Sequence, residues 1–372
     1  MRPSRNTSAS VILFESYASG SHGRIIDLLK RYSRHAITEI TLQRDHWKWL
    51  ALASHYHLAE KARLNRSTAE VDLLIFSGVM NIGALIAMLP VSHQMVPRVA
   101  YFHESQWSYP SDSGDPRPYL MQHLDALAIC DEVWFNSRYH LDDFVRQATS
   151  SSQDDRLKRL SRQLIEGNLG KLRVVYPPVE LDKDPVTARS KASVPALLWN
   201  ARWEQDKRPD RFVELLSKLA VLGVHPSVRI LGTAGKPVSD ILHALADFPQ
   251  DINVAGHLDS RHKYELALAG DGIFISTADH EFFGVAAIES VLAGNTPVLP
   301  YELAYPETLP CAWFYRHGDI NDLAAVIVAA LAAGRNTVAA HQSDARRFDA
   351  TEAVKVWDDR IDRVALSKLS DS

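Results

Sequence analysis

The chain has 372 residues, 46% of them hydrophobic and 23% charged, ordinary proportions for a folded globular protein of about two to three domains. That excludes a largely disordered, collagen-like or disulfide-stapled chain. Forty-one basic against forty-five acidic residues leave a net charge of −4, which excludes an overall positive coat for nucleic acid but not a local patch.

The start, Met1 to Ser10, is polar, and the apolar run Val11–Phe14 is far too short for a signal peptide. From there short apolar strands alternate with amphipathic helices, and the pattern occurs twice. Strands are expected at Val11–Phe14, Ile37–Leu42, Val71–Phe76, Val99–Phe102, Glu132–Phe135 and Arg173–Tyr176. Helical patterns lie between them, among them His22–Tyr32, Ile82–Met88, Tyr119–Ile129 and Tyr139–Gln147. Thr149–Asp155 reads as a loop. Tyr176 to Pro185 holds three prolines in ten residues and reads as a stiff connector.

The second series has strands at Ala196–Trp199, Ser227–Leu231, Ile252–Ala255, Gly272–Ser276 and Thr296–Leu299. Its helices are Arg208–Leu222, Val238–Ala246, Arg261–Ala269, Val285–Ala293 and Asp322–Ala333. A last helical pattern, Thr351–Ala365, carries Val354, Trp357, Ile361 and Val364 on one side and needs a surface to pack on. Mostly uncharged strands separated by helices predict parallel sheets buried on both faces. The expected α/β architecture is therefore two Rossmann-like, doubly wound domains, 1–182 and 183–350, with 351–372 as a helix packing back on the first. Cys130 and Cys311 are too few for a disulfide framework or a cysteine-rich zinc site, and both are expected in the core. The longest apolar stretches, Ile82–Val91 and Leu323–Ala333, fall short of the ~20 residues of a membrane span. A soluble, cytoplasmic protein is the expectation.

Residues 1–180 hold 21 basic and 19 acidic residues, and residues 181–372 hold 20 and 26. Within the first half, Arg24–Arg66 carries nine basic against four acidic residues, interleaved with Trp47, Trp49 and Tyr56. That mixture suits an anionic partner with stacking bases, or else a solvated helix face with a few core aromatics.

Four segments carry candidate chemistry. In Ser276–Glu289 a strand ends, a loop presents Glu281, and Phe282-Phe283-Gly284 opens a helix that carries Glu289 two turns on. Free backbone N–H groups at such a start favour an anion or polar ligand. Glu281 can accept hydrogen bonds from a polyol and Glu289 from a ribose diol. In Trp199–Pro209, Arg202 and Lys207 flank a loop that leads into a helix, and together with the helix dipole they would neutralise a diphosphate. Gly20-Ser21-His22 follows the first strand and allows backbone approach to a ligand, although its glycine spacing is not the dinucleotide fingerprint. His103-Glu104 stands at the carboxyl end of a central strand, where open α/β sheets bind ligands. His103 could contact a sugar hydroxyl or stabilise developing charge.

Arg202…Lys207 and Glu281-x7-Glu289 on two Rossmann-like domains resemble the GT-B glycosyltransferases of the large retaining family 4. The likeness is closer to the group that contains the tRNA-queuosine α-mannosyltransferase. It spans Gly20-Ser21-His22, the Trp47/Trp49 region, Tyr101–Glu104, Phe135-Asn136-Ser137, Arg202-Trp203-Glu204 with Asp206-Lys207, and His280–Gly284. Ser105 stands where that group carries asparagine.

The resemblance implies transfer of mannose from GDP-mannose, with retention, to queuosine in a tRNA anticodon, with no metal and no other cofactor required. It makes Arg202, Lys207, Glu281 and His103 catalytic. It assigns donor binding to Gly20, Ser21, Gly256, Leu258, Phe282, Phe283, Gly284 and Glu289, and acceptor binding to His22, Trp47, Lys48, Trp49, Glu104 and Gln106. The two domains would face a cleft. Asp182-x-Asp184 resembles a metal-binding pair but reads as solvated connector. Competing readings are a hexosyltransferase acting on a lipid, glycan or small molecule, and a non-catalytic module that binds nucleotide or RNA. An epimerase or phosphorylase on the same scaffold lacks support, since no cofactor-lysine motif for a phosphorylase is present.

Overall fold

The computed structural model describes residues 8–42, 47–65, 70–108, 115–150, 154–181, 196–232, 245, 248, 252–334 and 338–367. The chain divides into two compact units, Met1–Pro178 with Ala350–Ser372, and Val179–Asp349.

The first unit runs β1 (Ser10–Glu15), α1 (Ser21–Tyr32), β2 (Ala36–Thr41), α2 (Trp47–Leu64), β3 (Leu73–Ser77), α3 (Ile82–Met88), α4 (Val91–Gln94), β4 (Arg98–Phe102), α5 (Arg117–Ile129), β5 (Glu132–Phe135), α6 (Arg138–Ser150), α7 (Asp155–Asn168) and β6 (Leu172–Val174). The second runs β7 (Leu197–Asn200), α8 (Pro209–Val221), β8 (Val228–Leu231), β9 (Ile252–Gly256), α9 (Arg261–Leu268), β10 (Ile273–Ile275), α10 (Val285–Leu292), β11 (Thr296–Pro300), α11 (Tyr305–Thr308), β12 (Trp313–Tyr315), α12 (Ile320–Ala333) and α13 (Val338–Arg346). A final helix, α14 (Ala350–Ser367), belongs to the first unit.

Both sheets have six strands, in the orders β2-β1-β3-β4-β5-β6 and β12-β11-β10-β7-β8-β9. Every pairing of these strands is parallel. This is the expected doubly wound α/β class.

Alternate residues of one strand go to opposite sides of a sheet, and here both sides are apolar. Ile12 and Phe14 of β1 join Leu74, Phe76, Ala100 and Phe102 in one core with residues of α2, α3, α5 and α6. Val11 and Leu13 join Leu73, Ile75, Val99 and Tyr101 in the other, against Ile25, Ile26 and Leu29 of α1 and Val354, Trp357, Ile361 and Val364 of α14. Without α14, that second face would leave part of its apolar surface in water. Trp357 ties it down: its ring meets Tyr101 at 4.7 Å and Trp134 at 5.4 Å, and its Nε1 donates to the Tyr176 carbonyl at 2.9 Å. Asp358 accepts from Ser33 Oγ at 2.5 Å and from the Arg34 amide at 2.9 Å, which fixes the helix in register against the end of α1.

Several details differ from the sequence reading. Thr149 and Ser150 close α6, where their hydroxyls donate back to helix carbonyls, and Asp155 opens α7; residues 151–153 lie outside the described residues. β12 was not expected, because a three-residue edge strand is too short to show a period. Cys130 is buried, but Cys311 is exposed in the turn before β12, its amide donating to Asp344 Oδ2 at 2.8 Å. The expected helix Val238–Ala246 and the pair Asp182-x-Asp184 fall largely or wholly outside the described residues. Among the described residues no single helix is long and apolar enough to cross a membrane.

Trp357→Ala should destabilise the first unit by about 3–5 kcal/mol, the usual cost of deleting a buried tryptophan. Urea unfolding followed by circular dichroism checks this, and an unchanged midpoint would mean α14 contributes little to that face.

Candidate functional site

In the second unit, β7 ends at Asn200 and residues 201–208 turn across the sheet end. Gly232 permits that approach, because a Cβ there would lie 1.8 Å from the Ala201 carbonyl oxygen. Arg208 adopts a left-handed φ of 50° immediately before Pro209 opens α8. The loop after β10 locks onto this turn. The Asp279 amide donates to the Asp206 carbonyl at 2.7 Å, and Thr277 Oγ1 donates to the Lys207 carbonyl at 2.8 Å while accepting from Trp199 Nε1 at 3.0 Å. The Asp279 carboxylate receives Arg208 Nη1 at 2.9 Å and Arg211 Nη1, and lies 3.0 Å from His317 Nε2. Burial would raise its pKa, but the two guanidinium groups outweigh burial and hold it below the usual carboxylate range.

This double lock brings Lys207 to Glu281. Lys207 Nζ donates to the His280 carbonyl at 2.6 Å and lies 3.3 Å from Glu281 Oε2 and 3.2 Å from Asp206 Oδ2. Burial and the nearby Arg202 would depress the ammonium, yet Glu281 and Asp206 outweigh them and keep it above its ordinary value. It therefore stays charged at neutral pH. Glu281 Oε1 accepts from the Gly284 amide at 3.2 Å, at the N-terminus of α10. Gly284 has a φ of 91°, and a Cβ there would come within 3.0 Å of the Tyr305 ring. Phe282 and Phe283 are buried, Phe283 edge-on to Phe348, so both act as wall behind the loop. Lys207, Glu281, Asn200 and Tyr305 line one pocket.

Arg202 is near enough for its charge to act on Lys207, but faces outward. Its side chain is half exposed and pairs with Glu204 at 3.1 Å. Glu289 is buried in α10, with Oε1 receiving Arg261 Nη1 and Oε2 receiving Tyr264 Oη, both at 2.7 Å. Tyr264 in turn accepts from Asn200 Nδ2 at 2.8 Å, which links Glu289 to the end of β7. Each oxygen of Glu289 keeps a second lone pair for a ligand hydroxyl. Gly256, with φ of 62°, ends β9 at the sheet edge, and the partly buried Leu258 follows it; no described hydrogen bond joins either to the Lys207–Glu281 group.

In the first unit the carboxyl ends of β1, β3 and β4 converge. Gly20, with φ of 56°, precedes α1, and Ser21 is its first residue, with no side-chain cap. His22 on the first turn stacks on His103 beyond β4, centroids 3.6 Å apart and planes at 17°. Both face Glu15, which ends β1 and is fully buried: His22 Nδ1 and His103 Nε2 each lie 3.3 Å from its Oε2. Burial would raise the Glu15 carboxyl, but the two imidazoles overcome it and hold it well below the usual range. Burial, helped by His22, pushes the His103 imidazole down. One potential ligand atom from each of the three residues lies within 4.8 Å of the others. Near-parallel rings, however, aim their in-plane lone pairs side by side, so one ion could not lie in both ring planes. The group as built suits hydrogen bonding.

Glu104 and Gln106 hydrogen-bond to each other. Trp47 and Lys48 open α2; the Trp47 side chain lies outside the described residues, and Lys48 is half-buried. Trp49 is exposed, and so are Leu52 and Tyr56 on the same helix. Glu15, Ser77, Asn200, Arg261, Tyr264 and Asp279 escaped the sequence reading as functional candidates. Glu15, Asn200 and Asp279 sat inside segments that the sequence singled out, while Ser77, Arg261 and Tyr264 lie far in sequence from the groups they serve.

Comparison with known proteins supports the resemblance. Residues 10–179 match a family model described as "tRNA-queuosine alpha-mannosyltransferase N-terminal". A Drosophila melanogaster protein named tRNA-queuosine alpha-mannosyltransferase is 29% identical over 316 residues, 81% of each chain. Among solved structures, sucrose-phosphate synthase from Thermosynechococcus elongatus aligns with a TM-score of 0.72 at 14% identity, covering 98% of this chain and 100% of that one. A UDP-forming trehalose-phosphate synthase from Burkholderia xenovorans gives 0.68 at 12% identity, covering 96% and 100%. At such identities these neighbours speak for the fold, which is GT-B.

Asp279 tests the double lock. Its depressed pKa contributes stability that is present above the unfolded value near pH ~3.9 and is lost as pH falls through the folded value. Asp279→Asn should therefore lower the stability of the second unit at pH 7 and flatten its decline below about pH 4, as read by denaturant titration across pH. A variant with the wild-type acid profile would remove Asp279 from that role.

Proposed function

We propose that this protein is a retaining family 4 glycosyltransferase that moves mannose from GDP-mannose to queuosine in a tRNA anticodon. For the chemistry, the observation that carries this reading is the charged Lys207 held against Glu281 at the start of α10. A fixed ammonium beside a helix N-terminus is where a departing diphosphate gains most, because the donors are already oriented when its charge develops. The acceptor rests on the name and coverage of the relative and on the family model. Tryptophan and tyrosine exposed on α2 are compatible with stacking against bases.

On this reading Lys207 and Arg202 neutralise the diphosphate, Arg202 leaving Glu204 to do so, and no metal or other cofactor is required there. Glu281 accepts from mannose hydroxyls and Glu289 from the ribose diol. Phe282, Phe283 and Gly284 back the sugar, Gly256 and Leu258 border the base, and Gly20 and Ser21 offer amides to phosphate. His103 contacts a substrate hydroxyl. His22, Trp47, Lys48, Trp49, Glu104 and Gln106 serve the acceptor. The acceptor oxygen forms its bond to the anomeric carbon on the face from which the phosphate oxygen departs. Its proton passes to that phosphate oxygen, so the protein positions the reactants and stabilises charge, with no protein nucleophile. The same reading places the protein in the cytoplasm.

Purified protein incubated with GDP-mannose and queuosine-containing tRNA should yield a nucleoside one hexose heavier by mass spectrometry. No hexose on tRNA, with donor turnover on other acceptors, would discard the tRNA and keep the transferase. Glu281→Ala leaves Lys207 paired with Asp206 at 3.2 Å, so it should still fold, and it should lower turnover by about 10²–10³, the usual loss for one transition-state contact. Wild-type turnover would remove Glu281 from the active site. Affinity for tRNA should fall steeply between 50 and 200 mM salt, on the order of 10³ if several phosphates are bound.

A further inference from the structure

The carboxylate that ends β1 controls a proton it does not hold. Glu15 is buried and ionised, so its oxygens can only accept hydrogen bonds. Its Oε1 takes the Tyr17 amide at 2.8 Å, and a Cβ on Gly78 would come within 2.6 Å of the same atom, so the side chain has one place to go. Its Oε2 takes Ser77 Oγ at 2.7 Å. A serine hydroxyl has one proton, and this contact uses it. The same Ser77 oxygen lies 2.6 Å from His103 Nε2. With its proton already given to Glu15, Ser77 can only accept there, so the imidazole must be the donor.

We infer that Glu15 is a positioning residue which, directly at 3.3 Å and through Ser77, fixes His103 as the Nε2–H tautomer and leaves Nδ1 as the acceptor for a substrate hydroxyl. The ring has no freedom to undo this. His22 covers one face at 3.6 Å, the Tyr101 ring meets it edge-on at 4.9 Å, and Asn136 Nδ2 holds the His103 carbonyl at 2.7 Å. Asn136 is itself held by His140 Nδ1 at 2.9 Å. His22, Glu104 and His140 are the other ionisable groups whose charges couple to His103, besides Glu15 itself. The inference rests on the transferase reading for what Nδ1 contacts, but not for where the proton sits.

The test is nitrogen NMR of ¹⁵N-histidine-labelled full-length protein at pH 8, read beside transfer kinetics. In the wild type His103 should show its proton on Nε2. Glu15→Gln is nearly isosteric, and an amide donating to Ser77 would turn the serine hydroxyl toward His103 and move the ring proton to Nδ1. That variant should lose about 10² in kcat, the size of losing one transition-state hydrogen bond, with the KM for donor held within about twofold. Ser77→Ala removes the shorter of the two contacts to Nε2 and leaves Glu15 Oε2 at 3.3 Å, so it should weaken the Nε2–H preference and lower kcat by less than Glu15→Gln; an unchanged tautomer ratio with unchanged kcat would overturn the part assigned to Ser77, and the variant serves if Glu15→Gln does not fold. A wild-type His103 protonated on Nδ1 overturns the inference, and so does a folded Glu15→Gln with unchanged kcat. If the wild type transfers no mannose, the proposed function fails on that result, while the tautomer still decides this one.

Discussion

Parallel strands cannot be joined by a tight turn, and most of this molecule follows from that. Each strand must be followed by a crossover, usually a helix, before the chain can enter the sheet again in the same direction. The crossovers cover both faces, so both faces must be apolar, and the carboxyl ends of all strands gather along one edge of each sheet. Glu15, Ser77 and His103 meet because β1, β3 and β4 are neighbours ending at the same level. Asn200 and the Ser276–Glu281 loop meet because β7 and β10 are neighbours in the second sheet.

That edge also concentrates charges that burial would otherwise penalise. Glu15, Glu289 and Lys207 each lose most of their hydration, and an unpaired ion in such a place costs several kcal/mol or changes its protonation. Each is instead held by partners from another strand or helix: His22, His103 and Ser77 for Glu15, Arg261 and Tyr264 for Glu289, Glu281 and Asp206 for Lys207. Such pairs are weak sources of net stability, but removing one partner strands the other. The geometry of each group is therefore specified by mutual need.

Much of this was legible along the chain. Uncharged β-rich runs at Leu73–Phe76 and Val99–Phe102 announced doubly buried strands, and Pro209 and Gly284 marked helix starts. The edge strand Trp313–Tyr315 was not legible, because three residues carry no period. Cys311 was misplaced because burial of a cysteine in a turn depends on what covers the turn. Lys207 and Glu281 stood out as motif residues, yet their 3.3 Å contact depends on the Asp206–Asp279 and Lys207–Thr277 hydrogen bonds, which no local pattern encodes.

The class of fold could be read along the chain, since periodicity and turn chemistry are local and each strand or helix reports its own burial. The sequence also located the loops that follow the strands, since turn residues mark them. Which charges pair is set by the three-dimensional packing. Glu15 and His103 are 88 positions apart, Asn200 and Tyr264 are 64, and Tyr264 and Glu289 are 25. A hydrogen bond reaches only about 3 Å, so partners so far apart along the chain are chosen by the packing of sheets and helices and cannot be read from any one segment.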